Sequence, residues 1–112
     1  MNNVKEQFGL SAKVVPRLQD VFKKYPVVEE VILFGSRAKG NCRKGSDIDL
    51  SLRGEIDYNT LSKIETEIDD LLLAEMVDLN RYNDLKNEAL KEHINRVGKV
   101  FYEKSPSTQR GN

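Results

Sequence analysis

The chain has 112 residues, with 18 lysines and arginines against 18 aspartates and glutamates, one histidine and one cysteine. That length fits one domain burying about two-thirds of its unfolded surface, enough for a core without staples. Zero net charge argues against wholesale binding of DNA or RNA, and the lone Cys42 excludes an intrachain disulfide framework. Met1-Asn2-Asn3-Val4-Lys5-Glu6 has no signal-peptide hydrophobic region, and no apolar run nears the ~20 residues of a membrane span. A cytoplasmic chain is expected, with no membrane contact.

Taken in order, Ser11 can cap a helix running to about Lys24, with Val14, Leu18, Val21 and Phe22 inward, Pro16 as a defect in its first turns and Pro26 beyond its end. Val31-Ile32-Leu33-Phe34 is a continuous apolar run, the mark of a strand covered on both faces. Gly35 lets the chain bend sharply after it, and Ser36 is a good N-cap for a short helix through Arg37-Ala38-Lys39. A helix start offers unpaired N–H groups and a positive dipole end to an anion. Arg37, Lys39, Arg43 and Lys44 follow without an intervening acid, so Gly35, Ser36, Arg37 and Lys44 become candidate phosphate ligands. An ordinary solvated loop is the competing reading of this stretch.

Asp47-Ile48-Asp49-Leu50-Ser51-Leu52 then alternates polar and apolar, so Ile48, Leu50 and Leu52 face a core and Asp47 and Asp49 share the other face. Their Cα atoms lie roughly 6.7 Å apart, close enough for both carboxylates to meet one cation, or two ions about 4 Å apart. Two solvated aspartates on an edge strand would look the same in sequence. Asp57 can cap the next helix, whose Leu61, Ile64, Ile68, Leu71 and Leu72 form an apolar stripe. Met76-Val77-Asp78-Leu79-Asn80 alternates again; if it pairs beside the first Asp strand, Asp47, Asp49 and Asp78 meet on one surface. From Asp84 to Val97 a further helix turns Leu85, Leu90, Ile94 and Val97 inward, Gly98 stops it, and Val100-Phe101-Tyr102 add a last strand. The organisation is one α+β domain over residues 1–104, with a polar tail at 105–112.

Spacing removes several familiar sites. Gly35 to Gly40 is followed by Asn41-Cys42 rather than Lys-Ser/Thr, so the P-loop pattern fails, and no Gly-x-Gly-x-x-Gly occurs. An EF-hand counted from Asp47 would put Leu52 where its glycine belongs and Tyr58 where its glutamate belongs. Ser36 is not in Gly-x-Ser-x-Gly, and the only histidine, His93, lies far along the chain, where a surface or half-buried role is expected of it. Cys42 is read as a loop thiol, and Tyr82 and Tyr102 as packing residues.

Leu33-Phe34-Gly35-Ser36-Arg37-Ala38-Lys39-Gly40, then Ser46-Asp47-Ile48-Asp49-Leu50, then Val77-Asp78-Leu79 resemble the minimal nucleotidyltransferases of the polymerase-β superfamily, whose hallmark is Gly-Ser, ten residues, Asp-x-Asp and a later third acid. The likeness runs from about residue 9 to 102. It implies a polymerase-β-like fold, a small mixed sheet packed against helices. It further implies that Asp47 and Asp49 bind two Mg²⁺ ions, replaceable by Mn²⁺, that Asp78 holds the ion activating the acceptor hydroxyl, and that Gly35 and Ser36 bind the terminal phosphates of ATP or another NTP. At this size the resemblance is to antitoxins paired with a small helical toxin of the HEPN class, to whose tyrosine AMP is transferred. Larger relatives add a second domain, so here a partner or a second copy in a homodimer would close the site. Two other readings stay open: a catalytically weak nucleotide-binding antitoxin acting by complex formation, and nucleotidyl transfer to a small molecule or an RNA end.

Overall fold

The computed structural model describes residues 7–41, 43 and 45–104. Lys44, Cys42 and the tail after Lys104 lie outside the described residues. The elements are α1 (Val14–Lys23), β1 (Glu30–Phe34), the one-turn α2 (Ser36–Lys39), β2 (Ile48–Arg53), α3 (Tyr58–Asp69), β3 (Val77–Arg81), a 3₁₀ turn (Tyr82–Asp84), α4 (Glu88–Val97) and β4 (Lys99–Glu103). The strands form one sheet in the order β3-β2-β1-β4. β1 is antiparallel to both β2 and β4, while β2 and β3 run parallel, which takes a crossover, here α3. The sheet is therefore mixed, as expected.

One face of the sheet carries the main core. Val31, Leu33, Ile48, Leu50, Leu52 and Phe101 join Leu10, Leu18 and Phe22 from the N-terminal segment and α1, and Leu61, Ile64 and Ile68 from α3. The alternation read along β2 thus faces where it should. β1 is buried on its second face as well, where Ile32 and Phe34 lie under α4: a Cβ on Gly98 would collide with Ile32 Cγ2, and the Phe34 ring meets His93 edge-on at 6.3 Å. Double coverage accounts for its unbroken apolar run.

Several boundaries differ from expectation. α1 starts at Val14 rather than after a Ser11 cap, and Lys13 caps it without a side-chain bond. Pro16 is consequently the third helical residue, where its nitrogen has no carbonyl to bond, so it is no defect. Gly35, not Ser36, is the cap residue of α2, because φ 79° and ψ −157° belong to a region open almost only to glycine. Leu72 falls beyond α3, at φ 55° in the turn that ends it, and is 87% exposed rather than part of the apolar stripe. α4 begins at Glu88 instead of Asp84, since the Asn87 side chain accepts the Leu90 N–H and caps there, while Asp84 pairs with Arg81 and Leu85 is extended. Asp57 caps α3 as expected, accepting the Thr60 N–H at 2.7 Å, which draws its carboxyl below the usual range.

Candidate active site

The face of the sheet under α4 brings the motif residues together. Register places Phe34 of β1 opposite Asp49 of β2, and Asp49 opposite Asp78 of β3. The next row on the same face is Ile32, Ser51 and Asn80. Ser51, fully buried, donates its hydroxyl to Asn80 Oδ1 at 2.6 Å, tying β2 to β3 directly behind the acids. Asp49 and Asp78 therefore stand side by side on strands locked in register.

Asp47 lies one residue ahead of β2 and is fixed through its backbone. The Ile48 N–H donates to the Met76 carbonyl at 2.8 Å. The Arg37 guanidinium donates from Nε to the carbonyls of Ser46 (3.2 Å) and Asp47 (3.3 Å), from Nη2 to Ser46 at 2.6 Å, and from Nη1 to the Phe8 carbonyl at 3.0 Å. Arg37 is only 3% exposed. This corrects its expected role: the side chain turns inward and clamps the loop that delivers Asp47, so it is not placed as a phosphate ligand. The conformational reason is that α2 follows the Gly35 turn directly and sends Arg37 back under the Ser46-Asp47 segment.

Gly35 joins the turn to the acids. A Cβ built on it would lie 2.5 Å from Asp49 Oδ2, so the turn and the carboxylate touch with no space for a side chain. Its N–H donates to His93 Nε2 at 3.4 Å. Ser36, the first residue of α2, is half-buried beside it.

Electrostatics single out Asp49. Burial first, then the negative charges of Asp78 and Asp47, push its carboxyl above the usual range, and Arg37 opposes the shift. A carboxylate whose ionisation is made costlier by burial and by two neighbouring carboxylates is chemically suited to a hard cation, which takes oxygen ligands. Among the described residues, no three His, Cys, Asp or Glu side chains are drawn tightly enough together to hold an ion as they stand. The strand register fixes the backbones of Asp49 and Asp78, and Asp47 and Asp78 are exposed, so closing the set takes rotation of side chains, not movement of strands.

Sequence reasoning missed three contributors. Ser51 and Asn80 read as polar members of alternating strands, and only parallel pairing in this register makes them a bond. His93 was expected at a surface or half-buried position; it is half-buried, and its Nε2 accepts the Gly35 N–H. The helical period of α4 carried only its half-buried place beside the buried Ile94, not the bond to Gly35. Tyr102 packs against Phe22 at 5.9 Å, while Tyr82 lies under the Arg53 guanidinium at 4.4 Å and accepts from Asn95. Two hollows of about 440 Å³, one lined by residues 72–77 with Ile68 and Asp69 and another by Tyr82 and α4, do not include Asp47, Asp49 or Asp78 in their walls. Among the described residues no helix is long and apolar enough to cross a membrane.

Residues 17–107 match the family described as polymerase beta, nucleotidyltransferase. No curated protein sequence matches significantly. Among solved structures, a chain of a toxin-antitoxin complex with AMP-PNP is 19% identical with a TM-score of 0.66, over 82% of this chain and 75% of that one. A chain of an MntA toxin-antitoxin complex carrying two Asp-to-Glu substitutions is 19% identical, TM-score 0.58, over 83% and 72%. A chain of the tri-AMPylated Shewanella oneidensis HEPN toxin in complex with its MNT antitoxin is 20% identical, TM-score 0.54, over 81% and 67%. At such identities the likeness is one of fold.

Proposed function

Since the chain belongs to the polymerase beta nucleotidyltransferase family, we propose that it transfers AMP from ATP to a hydroxyl of a protein partner, with Asp47, Asp49 and Asp78 as its catalytic carboxylates. The observation that carries this reading is the register that sets Asp49 beside Asp78, with Gly35 against Asp49. An all-oxygen donor set fits Mg²⁺, with Mn²⁺ as substitute, and Asp47, Asp49 and Asp78 would hold it. When bound, the metal supplies charge neutralisation and polarises the phosphate and hydroxyl oxygens.

The chain's own residues do the positioning. The Gly35-Ser36 turn receives the terminal phosphates and aims the α-phosphorus at the acids. Asp78 lies on the edge strand β3, open to an incoming macromolecule, and takes the proton of the attacking hydroxyl. The bond from that oxygen to the α-phosphorus forms, the bridging P–O bond to the β-phosphate breaks, and pyrophosphate leaves. The acceptor itself completes the site on this face.

We assign the acceptor as a tyrosine of a HEPN-class toxin, the chain thereby acting as antitoxin. Support comes from the fold shared with chains of complexes that hold AMP-PNP or a tri-AMPylated HEPN toxin. AMP adds a charged phosphate and a bulky base, enough to obstruct a neighbouring RNase site. The test is intact-mass measurement of the adjacent gene's product, and of a HEPN-class toxin, after incubation with the protein, ATP and Mg²⁺. A gain of AMP that Asp78→Asn abolishes is expected. Neutralisation without any mass change, equally by the aspartate variants, would instead establish inhibition by complex formation.

A further inference from the structure

We propose that His93 is a positioning residue for the phosphate turn, its Nε2 holding the Gly35 N–H so that helix α4 fixes from behind the turn that receives the nucleotide. The inference rests on the reading of Gly35-Ser36 as that turn, and it extends it to a residue outside the motif.

Gly35 occupies a backbone region that persists only where its surroundings over-determine it. Three of those surroundings are visible. The Gly35 carbonyl accepts the Lys39 N–H at 3.2 Å, Asp49 Oδ2 fills the space where a Cβ would be, and His93 Nε2 accepts the Gly35 N–H at 3.4 Å. The first two act on the carbonyl and the α-carbon. His93 alone of the three acts on the amide, and so controls rotation of the peptide joining Phe34 to Gly35. Its ring is steadied by the edge-on contact with Phe34 and by the buried neighbour Ile94. Gly98 closes α4 hard against Ile32, which leaves the helix little freedom to slide.

Two chemical consequences follow. A nitrogen that accepts carries no proton, so this bond requires the ring tautomer that is protonated on Nδ1. With the Gly35 N–H engaged by His93, the N–H groups of the turn left to meet phosphate are those of Ser36 and the residues after it. His93 touches no reacting atom in this arrangement. Its effect runs through Gly35 alone.

The discriminating variants are His93→Gln, whose amide oxygen can take the place of Nε2, and His93→Leu, which keeps an apolar contact with Phe34 and removes the acceptor. ATP binding in Mg²⁺ is measured by calorimetry on the full chain, and amide exchange at Gly35 by NMR without nucleotide. His93→Leu should weaken ATP binding about fivefold, the scale of one net hydrogen bond, and speed Gly35 exchange, while His93→Gln should stay within about twofold on both. Equal impairment in both variants would reduce His93 to packing, and normal ATP binding by His93→Leu would overturn the proposal alone. Wild-type protein that binds no ATP would overturn the nucleotide reading and this inference with it. If His93→Leu does not fold, fast exchange of the Gly35 amide in the wild type refutes the bond, and slow exchange that His93→Gln preserves supports it.

Discussion

Replacing Arg37 by methionine tests whether the buried guanidinium holds the Asp47 loop. Arg37→Met keeps much of the volume and removes every donor, leaving the carbonyls of Ser46, Asp47 and Phe8 without their partner. A buried acceptor left bare costs about 1–3 kcal/mol. Asp47 is exposed and Ser46 and Phe8 are half-buried, so water can replace part of what is lost at these carbonyls. A total loss of about 2–3 kcal/mol is expected, a fall of roughly 10 °C in Tm for a domain of this size. Arg37→Lys keeps the charge, but one ammonium cannot span three carbonyls, so it should fall between. Thermal unfolding followed by circular dichroism in EDTA reads the stability, and Mg²⁺ titration of ATP binding reads the site. Both should deteriorate together, because Asp47 is displaced and Asp49 loses the cation that opposes its upward shift. Arg37→Met melting within about 0.5 kcal/mol of the wild type, with unaltered Mg²⁺ dependence, would refute the clamp.

Asp49 should make the metal-free protein less stable as it ionises: with its folded-state carboxyl raised above the ordinary 3.8, the native state binds the proton more tightly, so stability is gained as pH falls through the folded value and lost as pH rises. Asp49→Asn should therefore raise Tm in EDTA at neutral pH and flatten this dependence while abolishing transfer, and an unchanged or lower Tm would contradict the assigned repulsion. Gly35→Val should cost far more ATP affinity than Ser36→Ala, since the first collides with Asp49 at a positive φ and the second removes one hydroxyl worth about 1 kcal/mol; calorimetry giving the reverse order would remove the turn from the phosphate site. Glu67 is held below its usual range by Lys24 at 2.8 Å and then by Tyr25, whose own hydroxyl is pushed up to about 12 by that bond, by burial and by the Glu67 charge. Glu67→Gln should bring one tyrosine's ultraviolet titration down toward the ordinary range and remove stability that the wild type keeps above the unfolded carboxylate value and loses as pH falls through the folded one; four superimposable tyrosine titrations would count against the pair.

The elements were legible where one period dominated. β2 and β3 alternate strictly, and a polar residue on the wrong face would have been costly, so their orientation and their acids could be read without a structure. The ends of helices were less legible because several capping residues compete locally: Ser11 and Asp84 are good caps by type, yet Asn87 took the cap of α4 and Asp84 went to Arg81. Arg37 was misread for a different reason. A cation next to a glycine turn looks the same in sequence whether it points at phosphate or folds back onto carbonyls, and only the path of α2 decides. The bond between His93 and Gly35 spans 58 positions, so no local pattern could announce it.

The central claim is that Asp47, Asp49 and Asp78 run a metal-dependent nucleotidyl transfer. The most direct measurement follows label from α-³²P-ATP into the purified HEPN-class protein proposed as acceptor, with Mg²⁺ or with EDTA, for the wild type and for Asp47→Asn, Asp49→Asn and Asp78→Asn. The account predicts label on the partner with the wild type in Mg²⁺ alone, and a loss of at least about a hundredfold in each variant, the scale of removing one preorganised electrostatic group. Label transferred equally in EDTA, or by the aspartate variants at the wild-type rate, would contradict it.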